Sequence, residues 1–474
     1  MENISRPINP PSFLSALYLD RTSDVPIVER LYEALRAKMA KGELKEGTKL
    51  PPTRAFATEL GVSRTTVVNA YDQLVAEGYV ESRQGSGHRV CGIGEVELNT
   101  ARRPDAPAEK HRTIADTGIF QIGQPDMRLF PHRLWAQTVA RVCRNAPEAL
   151  LSSGDPFGSF ALRQALARHV SEWRGIAALP DQILITSGST DAFDICLRTL
   201  TELGQAIALE NPGYKPLRSI AHTQGRHVID LAIDGLGATL PPKGSQPRLA
   251  VLTPSHQFPL GGAMSPGRRQ AYKDWAVKNG GWVIEDDYDS EFRFAGRPIP
   301  AMACFDANER TIYLGSFSKV FSNALRIGYV IVPLKLVDSF RSTVRLFSSR
   351  ASHMPQQALA DFIDSGSFYR HLRRMRRIYG ERRKYLVDQF KRDFADIGTF
   401  QNFNAGMHIV LNLEDRYIDT EIVEHAAKQG LSISALSSFS CSPNGLNGLA
   451  FGYCGNTEQE LTSGLAKIQN LIRR

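Results

Sequence analysis

The spacing of apolar residues divides the chain into two parts. From residue 26 to 90 they recur at the interval of a helix, as in Ile27, Leu31 and Leu35. From residue 117 onward, helical stretches alternate with short apolar runs: ILIT, AIALE, LAVLT, GWVIEDD, TIYLG and GYVIVP. This alternation predicts a parallel sheet covered by helices, and later runs, HIVLNL and LAFGY, predict strands of a smaller mixed segment.

The segment that joins the two parts is polar and contains prolines, without a sustained apolar period. We therefore predict a linker over residues 92–116. It separates a small N-terminal domain, 14–91, from a large α/β domain, 117–474. The large domain divides further into a main part, about 117–335, and a small C-terminal α+β part, about 336–474.

The N-terminal domain carries the signature of a helix-turn-helix. A helix that Thr53 is placed to cap ends at Gly61, and Ser63 is a natural N-cap for a second helix over residues 64–77. Two helices joined by a short glycine-containing turn are typical of this motif, and residues 79–90 predict a two-stranded wing. A helical pair with an ordinary polar surface is the alternative, but the capped turn and basic wing together favour DNA binding.

Residues 50–79 match LP-x-x-R-x-x-A-x-x-LGVSR-x-TV-x-x-AY-x-x-L-x-x-EGY nearly throughout, and so resemble the GntR-type winged helix. The resemblance implies double-stranded operator DNA as a partner. The residues that it places at the operator are Arg54, Arg64, Thr65, Thr66, Asn69, Arg83 and Gly85.

A lysine in the second half suggests a covalent cofactor. Lys319 follows a predicted strand among small hydroxyl residues, where it can form a Schiff base with an aldehyde. Upstream, VIEDDYDSEF (283–292) ends an apolar strand in acids, where an open α/β sheet binds ligands. A metal site or a solvated loop would also explain the acids. The glycine turn ITSGSTDAF (185–193) leads into a helix that suits a phosphate, and ENPGY (210–214) supplies an aromatic ring.

These elements, in this order, resemble fold-type I aminotransferases over most of residues 117–474. Joined to the winged helix, the chain resembles the MocR/GabR subfamily of bacterial transcriptional regulators. The motifs that carry the resemblance are FQIGQPDMRLFP (120–131), TPSHQFPLG (253–261), EDDYDSEFR (285–293) and HLRRMRRIY (371–379).

The resemblance implies pyridoxal 5'-phosphate as the cofactor. Lys319 would form the Schiff base, Asp286 would pair with the pyridine nitrogen, and Tyr288 would hydrogen-bond the ring hydroxyl. Tyr214 would stack on the ring. The phosphate would be held by Ser189, Thr190, Ser316 and Arg326.

Two positions depart from the aminotransferase pattern. The asparagine that usually touches the ring hydroxyl is Phe258, which lowers the expectation of efficient catalysis. The arginine that grips an effector carboxylate is replaced by Ala450 in the text LAFGY. An amino acid would lose its bidentate anchor there, so the effector is expected to be an amine with another anchor, or the cofactor itself.

Composition narrows the class of protein. Hydrophobic residues make up 42% and charged residues 22%, which excludes a disordered or fibrous chain. No apolar run reaches the ~20 residues of a membrane span, the N-terminus lacks a secretory signal, and six scattered cysteines lack metal-ligand spacing. We expect a cytoplasmic protein without a bound metal, whose net charge of +8 weakly favours polyanion partners.

Three functions remain open. The leading hypothesis is a head-to-tail homodimeric regulator whose aminotransferase-like domain senses an amine or amino acid through pyridoxal phosphate. The second is a working aminotransferase with an accessory DNA-binding domain, and the third is a sensor of pyridoxal phosphate itself. The arginine-rich stretch 370–384 predicts either a solvated helix face or a second DNA-tracking surface.

Overall fold

The computed structural model describes residues 25–83, 87–92, 118–146, 154–296, 298–307, 309–347, 351–401, 403–441 and 445–473. The chain forms two compact units, Met1–His111 and Arg112–Arg474. Nearly all of the predicted linker, 92–116, lies outside the described residues, as does Gly85 in the wing.

The described residues of the N-terminal unit form three helices and a hairpin. Ser63 Oγ accepts a 3.1 Å hydrogen bond from the Thr66 amide, and Gly61 ends the preceding helix with a φ of 64°. Both features agree with the prediction, whereas Thr53 is the first helical residue and Pro52 occupies the N-cap. The elements are α1 Ile27–Ala40, α2 Thr53–Leu60, α3 Arg64–Ala76, and the antiparallel strands β1 Val80–Arg83 and β2 Gly87–Val90.

An eight-stranded sheet is the centre of the second unit, in the order β3-β10-β9-β8-β7-β4-β5-β6. Its strands are β3 Ile183–Thr186, β4 Ala206–Asn211, β5 His227–Asp234, β6 Gly237–Ala238, β7 Leu249–Leu252, β8 Trp282–Asp287, β9 Thr311–Ser316 and β10 Gly328–Ile331.

The prediction of a parallel sheet is wrong at β10, which is antiparallel to both β3 and β9, and at the short edge strand β6, which is antiparallel to β5. The connection from β9 to β10 spans only residues 317–327 and contains one short α-helix and one 3-10 turn, so the chain turns back directly instead of crossing over. The remaining contacts among β9, β8, β7, β4 and β5 are parallel, as predicted.

Helices cover both faces of this sheet, and most of its strands are accordingly buried on both sides, whereas the outer strand β5 is mostly half-buried or exposed. In β3, for example, Ile183 and Ile185 join the core on one face, while Leu184 joins the core on the other. The described α-helices of the whole second unit, including its C-terminal part, are α4 His132–Asn145, α5 Phe160–Arg174, α6 Ser189–Leu200, α7 Lys215–Thr223, α8 Pro266–Lys278, α9 Phe317–Val320, α10 Val337–Phe347, α11 His353–Asp364, α12 Ser367–Asp393, α13 Asp419–Ala427 and α14 Glu458–Ile472.

The C-terminal part adds a four-stranded antiparallel sheet in the order β11-β12-β14-β13. Both strands predicted there, HIVLNL and LAFGY, are found. The bounds are β11 Gly398–Phe400, β12 His408–Leu413, β13 Ser434–Ala435 and β14 Gly448–Gly452.

The arginine-rich stretch 370–384 lies within α12, and part of it is structural. Arg382 is buried and donates to Asp126, and Arg383 is buried and donates to the carbonyl oxygen of Phe403. The stretch is therefore not the fully solvated face of the simpler prediction, although Arg373, Arg374 and Arg377 are exposed. Across the described residues, no helix is both long and apolar enough to cross a membrane.

Candidate functional site

Asp286 and Lys319 lie at the same edge of the large sheet. Asp286 is the penultimate residue of β8 and pairs in register with Leu314 of the parallel strand β9. Lys319 follows the end of β9 within the short helix α9. The fold thus delivers an acid and an amine to the carboxyl ends of two adjacent parallel strands, the usual position of ligands in open α/β sheets.

Lys319 is held in a narrow, partly buried space. Burial lowers the pKa of its amine, while the nearby carboxylate of Asp289 acts in the opposite direction. The backbone of Gly123, with a φ of 64°, packs against it so closely that a Cβ there would lie 2.8 Å from Nζ. The amine therefore favours its uncharged, nucleophilic form more than an exposed lysine does.

Several carboxyl groups lie close together at this edge. Burial, followed by the charges of Asp287, Glu210 and Asp289, raises the pKa of Asp286 to about 7. Asp287 is already paired with Arg174 at 2.7 Å, so Asp286, Glu210 and Asp289 are the acids that favour a ligand group with a positive charge or a hydrogen-bond donor.

The sequence analysis predicts no role for Glu210, which begins the segment ENPGY that supplies Tyr214. In the structure its carboxylate accepts hydrogen bonds from the amide and hydroxyl of Thr253, at 3.0 and 2.5 Å, and from Gln257 at 3.2 Å. Burial raises its pKa to about 7 despite these bonds. The available signal was the acid that closes the apolar run AIALE.

The four residues predicted to hold a phosphate meet around two glycines. Ser189 and Thr190 form the first turn of α6 behind Gly188, whose φ is 97°. Arg326 reaches over that turn, since a Cβ on Gly188 would lie 3.6 Å from the guanidinium carbon. The fourth, Ser316, pairs in register with Gly328 of β10, and Gly328 packs against Gly188. A helix N-terminus and a guanidinium together suit an anion.

Phe258 contacts both aromatic residues predicted to touch the cofactor. The centroid of its ring lies 6.0 Å from the ring centroid of Tyr214 and 5.9 Å from that of Tyr288. Both pairs of rings are nearly perpendicular. Tyr214 stays 42% exposed at the N-cap of α7, so one side of its ring is open to a ligand. An apolar ring thus occupies the position that the sequence comparison assigned to the asparagine of aminotransferases.

Tyr288 belongs to a buried hydrogen-bonded group. Nδ1 of His256 lies 2.9 Å from Oη of Tyr288 and 3.1 Å from Oδ2 of Asp289. Asp289 is 1% exposed, and its Oδ1 has no hydrogen-bond partner among the described residues. The sequence motifs contain His256, in TPSHQFPLG, and Asp289, among the acids of VIEDDYDSEF, without a predicted role for either side chain.

Ala450 is fully buried in β14, where it pairs in register with Val410. Its side chain joins a small apolar cluster with Val410 and Leu436, beside the partly buried Ile122 and Phe439. The position that the sequence comparison assigned to a carboxylate-binding arginine therefore holds an apolar contact.

On the N-terminal unit, most of the predicted DNA-contacting residues are accessible, in α2 and along the first half of α3. Arg54, Arg64, Thr65 and Asn69 are exposed. Thr66 is half-buried, and its Oγ1 lies 2.8 Å from Oγ of Ser63, so its hydroxyl already takes part in capping α3. The exposed Arg83 forms a 2.9 Å ion pair with Glu81 on the same strand, and Gly85 lies outside the described residues.

Comparison with known proteins supports the predicted family of each of the two units. Residues 119–468 match the family model described as aminotransferase class I and II, and residues 27–90 match bacterial regulatory proteins of the gntR family. The probable rhizopine catabolism regulatory protein MocR of Rhizobium meliloti is 38% identical, covering 96% of this chain and 95% of its own. The chain belongs to the MocR/GabR subfamily of GntR-type transcriptional regulators.

A second relative supports the same membership. The HTH-type pyridoxine biosynthesis transcriptional regulator PdxR of Corynebacterium glutamicum is 32% identical, with 94% of this chain and 96% of that one covered. Because these full-length relatives are regulators, this MocR/GabR member is a DNA-binding transcriptional regulator, and the enzyme alternative is the weaker one.

Solved structures show the fold of the second unit. Kynurenine aminotransferase of Pyrococcus horikoshii superposes with a TM-score of 0.69 at 22% identity, covering 76% of this chain and 91% of that one. The α-aminoadipate aminotransferase LysN of Thermus thermophilus gives 0.68 at 23% identity, covering 76% and 92%. The large unit of this MocR/GabR member is thus an aminotransferase fold.

Proposed function

We propose that the regulator binds pyridoxal 5'-phosphate at the edge where Asp286 and Lys319 meet, and that a small-molecule amine alters operator binding through this site. The supporting observation is that a partly buried amine of lowered pKa and a carboxyl group of raised pKa lie at the ends of adjacent strands. When bound, pyridoxal phosphate supplies an aldehyde that condenses reversibly with amines.

The donors and acceptors at the site fit that group. Lys319 has the lowered pKa that a nucleophilic amine needs, and Asp286 is a buried acid placed for a protonated ring nitrogen. At the other end, the first turn of α6 and Arg326 suit the phosphate, and the half-exposed ring of Tyr214 offers a stacking face. We assign these roles, with Tyr288 at the ring hydroxyl and Ser189, Thr190 and Ser316 at the phosphate, as a proposal.

The effector that we propose is an amine without a carboxylate anchored at position 450, or pyridoxal phosphate itself. Burying a carboxylate against Ala450 and its apolar neighbours would leave the charge unpaired, which is costly. The acids Glu210, Asp286 and Asp289 instead favour a cationic or donor-rich ligand.

Signal output requires that the effector bind two states of the regulator with different affinities. We propose a head-to-tail homodimer, as the subfamily resemblance implies, in which effector binding changes how the two winged helices meet paired half-sites. Dimeric helix-turn-helix proteins gain specificity in this way because each half-site adds its own contacts.

The test measures cofactor binding and DNA binding on the same full-length protein. The visible absorbance of bound pyridoxal phosphate is recorded for the wild type, for Lys319→Ala, and for Lys428→Ala, an exposed lysine paired with Glu424 as control. We expect the band in the wild type and the control, and its loss in Lys319→Ala.

Affinity for the regulator's own upstream DNA is then measured without cofactor, with cofactor, and with candidate amines. A change on cofactor addition alone identifies pyridoxal phosphate as the signal. If DNA affinity changes only after an amine has shifted the absorbance band, that amine is the signal. An absent band in every preparation contradicts the cofactor assignment.

The second candidate function is residual aminotransferase turnover, which the intact pair of Lys319 and Asp286 favours. Steady formation of keto acid from an amino donor would support it. We expect a single half-reaction at most, because Phe258 and Ala450 remove two polar contacts of the enzymes.

A further inference from the structure

We propose that His256 and Asp289 are positioning residues that turn the hydroxyl proton of Tyr288 towards the ring oxygen of the cofactor. This inference rests on the proposed function, because it concerns how the protein presents Tyr288 to pyridoxal phosphate. The three side chains meet at one atom, Nδ1 of His256.

The direction of the hydrogen bonds follows from which groups can donate. An ionised carboxylate only accepts, so the contact between Asp289 Oδ2 and His256 Nδ1 needs the imidazole proton on Nδ1. With that proton in place, Nδ1 has no lone pair for Tyr288, whose oxygen can then only accept from it. The phenolic proton of Tyr288 is left to donate to another acceptor.

Without Asp289, the imidazole would be free to adopt the other tautomer. Nδ1 would then accept the proton of Tyr288, and the hydroxyl would point away from the ligand. Asp289 thus selects the tautomer, as carboxylates do for histidines in catalytic and metal sites.

Packing holds the imidazole in this orientation. The ring of His256 lies against the backbone of Gly406, where an added Cβ would be 1.9 Å from Cε1. The ring of His408 lies 5.4 Å away, and its Nε2 donates to the carbonyl oxygen of Pro259 at 2.7 Å. Burial and His256 lower the pKa of His408 to about 4, so it adds no charge beside the pair at neutral pH.

The surroundings make the hydroxyl of Tyr288 a stable donor. Burial, together with the carboxylates of Asp289, Asp286, Glu210 and Asp287, raises its pKa well above the ordinary value. Tyr288 therefore keeps its proton over the working pH range, and its orientation is what remains to be set.

The experiment measures the pH midpoint of the visible band of bound pyridoxal phosphate. A hydrogen bond donated to the ring oxygen favours the deprotonated cofactor, which carries more negative charge there. We expect Tyr288→Phe and His256→Phe each to raise the midpoint, by about one pH unit. His256→Asn, whose amide can replace the Nδ1 proton donor, should return it towards the wild-type value.

A double variant separates positioning from a general structural effect. If His256 acts through Tyr288, His256→Phe should shift the midpoint in the wild type and not in the Tyr288→Phe background. An equal shift in both backgrounds, or none in either, overturns the proposal. The matched control is His169→Asn, since His169 is also buried and its Nδ1 lies 3.2 Å from a tyrosine hydroxyl, that of Tyr369.

Gly406→Ala tests the same point if His256→Phe fails to fold, because the added methyl group displaces the imidazole without changing its chemistry. Its control is Gly430→Ala, which has a comparable positive φ of 77° and no neighbour within 4 Å of the added Cβ. We expect only Gly406→Ala to raise the midpoint, and an unshifted Gly406→Ala contradicts the proposal.

The same spectra separate a failure of this inference from a failure of the proposed function. If the wild type shows no band, both the proposed function and this inference fail. If the wild type shows the band but the variants do not shift its midpoint, only this inference fails.

Discussion

Arg382 and Asp126 are 256 residues apart in the chain and form a buried ion pair, with 2.9 Å between Nη2 and Oδ2. The pair fastens the long helix α12 to the segment that carries Gly123, and hence to the wall of the lysine site. The arginine-rich stretch 370–384, which the sequence alone suggests is a basic surface, thus also holds the candidate site in place through Arg382.

Removing one member of this pair should destabilise the large unit strongly. Arg382→Met leaves the carboxylate of Asp126 with one of its two arginine partners, Arg128, so we expect a cost of about 1–3 kcal/mol, below the ~3–5 kcal/mol of a buried charge left without any partner. Urea unfolding of the full chain measures the loss. Arg377→Ala removes an exposed pair with Glu381 on the same helix and should cost no more than about 0.5 kcal/mol. Equal losses in the two variants would contradict the structural role.

Ser63→Ala should weaken the start of α3, because it removes the side-chain acceptor for the Thr66 amide. The expected cost is about 1 kcal/mol, with Ser63→Gly losing only a few tenths. Thermal unfolding gives the stability change, and titration with upstream DNA gives the effect on binding. An alanine variant as stable as the glycine variant would mean that the cap contributes little.

Gly123→Ala should impair reaction of Lys319 with pyridoxal phosphate, because the added methyl group would lie 2.8 Å from Nζ. We expect at least about a tenfold loss of cofactor affinity, equivalent to ~1.4 kcal/mol. Gly204→Ala is the control, since Gly204 has a φ of 79° and nothing within 4 Å of its added Cβ. Both variants share the backbone strain, so unchanged absorbance in Gly123→Ala would rule out the contact.

Asp286 and Glu210 should each contribute a loss of stability to the cofactor-free protein as pH rises from about 4 to about 7. In that window these two groups bind more protons in the folded state than in the unfolded chain, because their pKa values are raised to about 7. Asp286→Asn should therefore be more favourable relative to the wild type at pH 8 than at pH 5. Urea midpoints at the two pH values measure this difference. A variant whose relative stability is the same at both contradicts the raised pKa.

The sequence predicted those features that depend on neighbouring residues. Strand positions followed from runs such as ILIT, and the cap at Ser63 and the end at Gly61 followed from local chemistry. Non-local features were missed. The direction of β10 depends on how the chain returns to the sheet, and β5 was missed because its burial alternates irregularly.

The candidate site divides in the same way. Motifs placed Lys319 and Asp286, and the structure brings them to adjacent strand ends. The contacts of Glu210 with Thr253 and of Asp289 with His256 join residues 43 and 33 positions apart. No periodicity reports such contacts, because they arise only once separate strands are packed side by side.

The antiparallel strand β10 also has a consequence for how the protein is made. Among the described strands, β3 pairs with β10 alone, and Gly328 of β10 lies in register with both Thr186 and Ser316. While the ribosome synthesises the chain, β3 emerges well before β10 and has no partner until residues 328–331 follow. The candidate phosphate site around Gly188 and Gly328 can therefore form only late in translation. A nascent regulator cannot bind an anion there until most of its chain has been made.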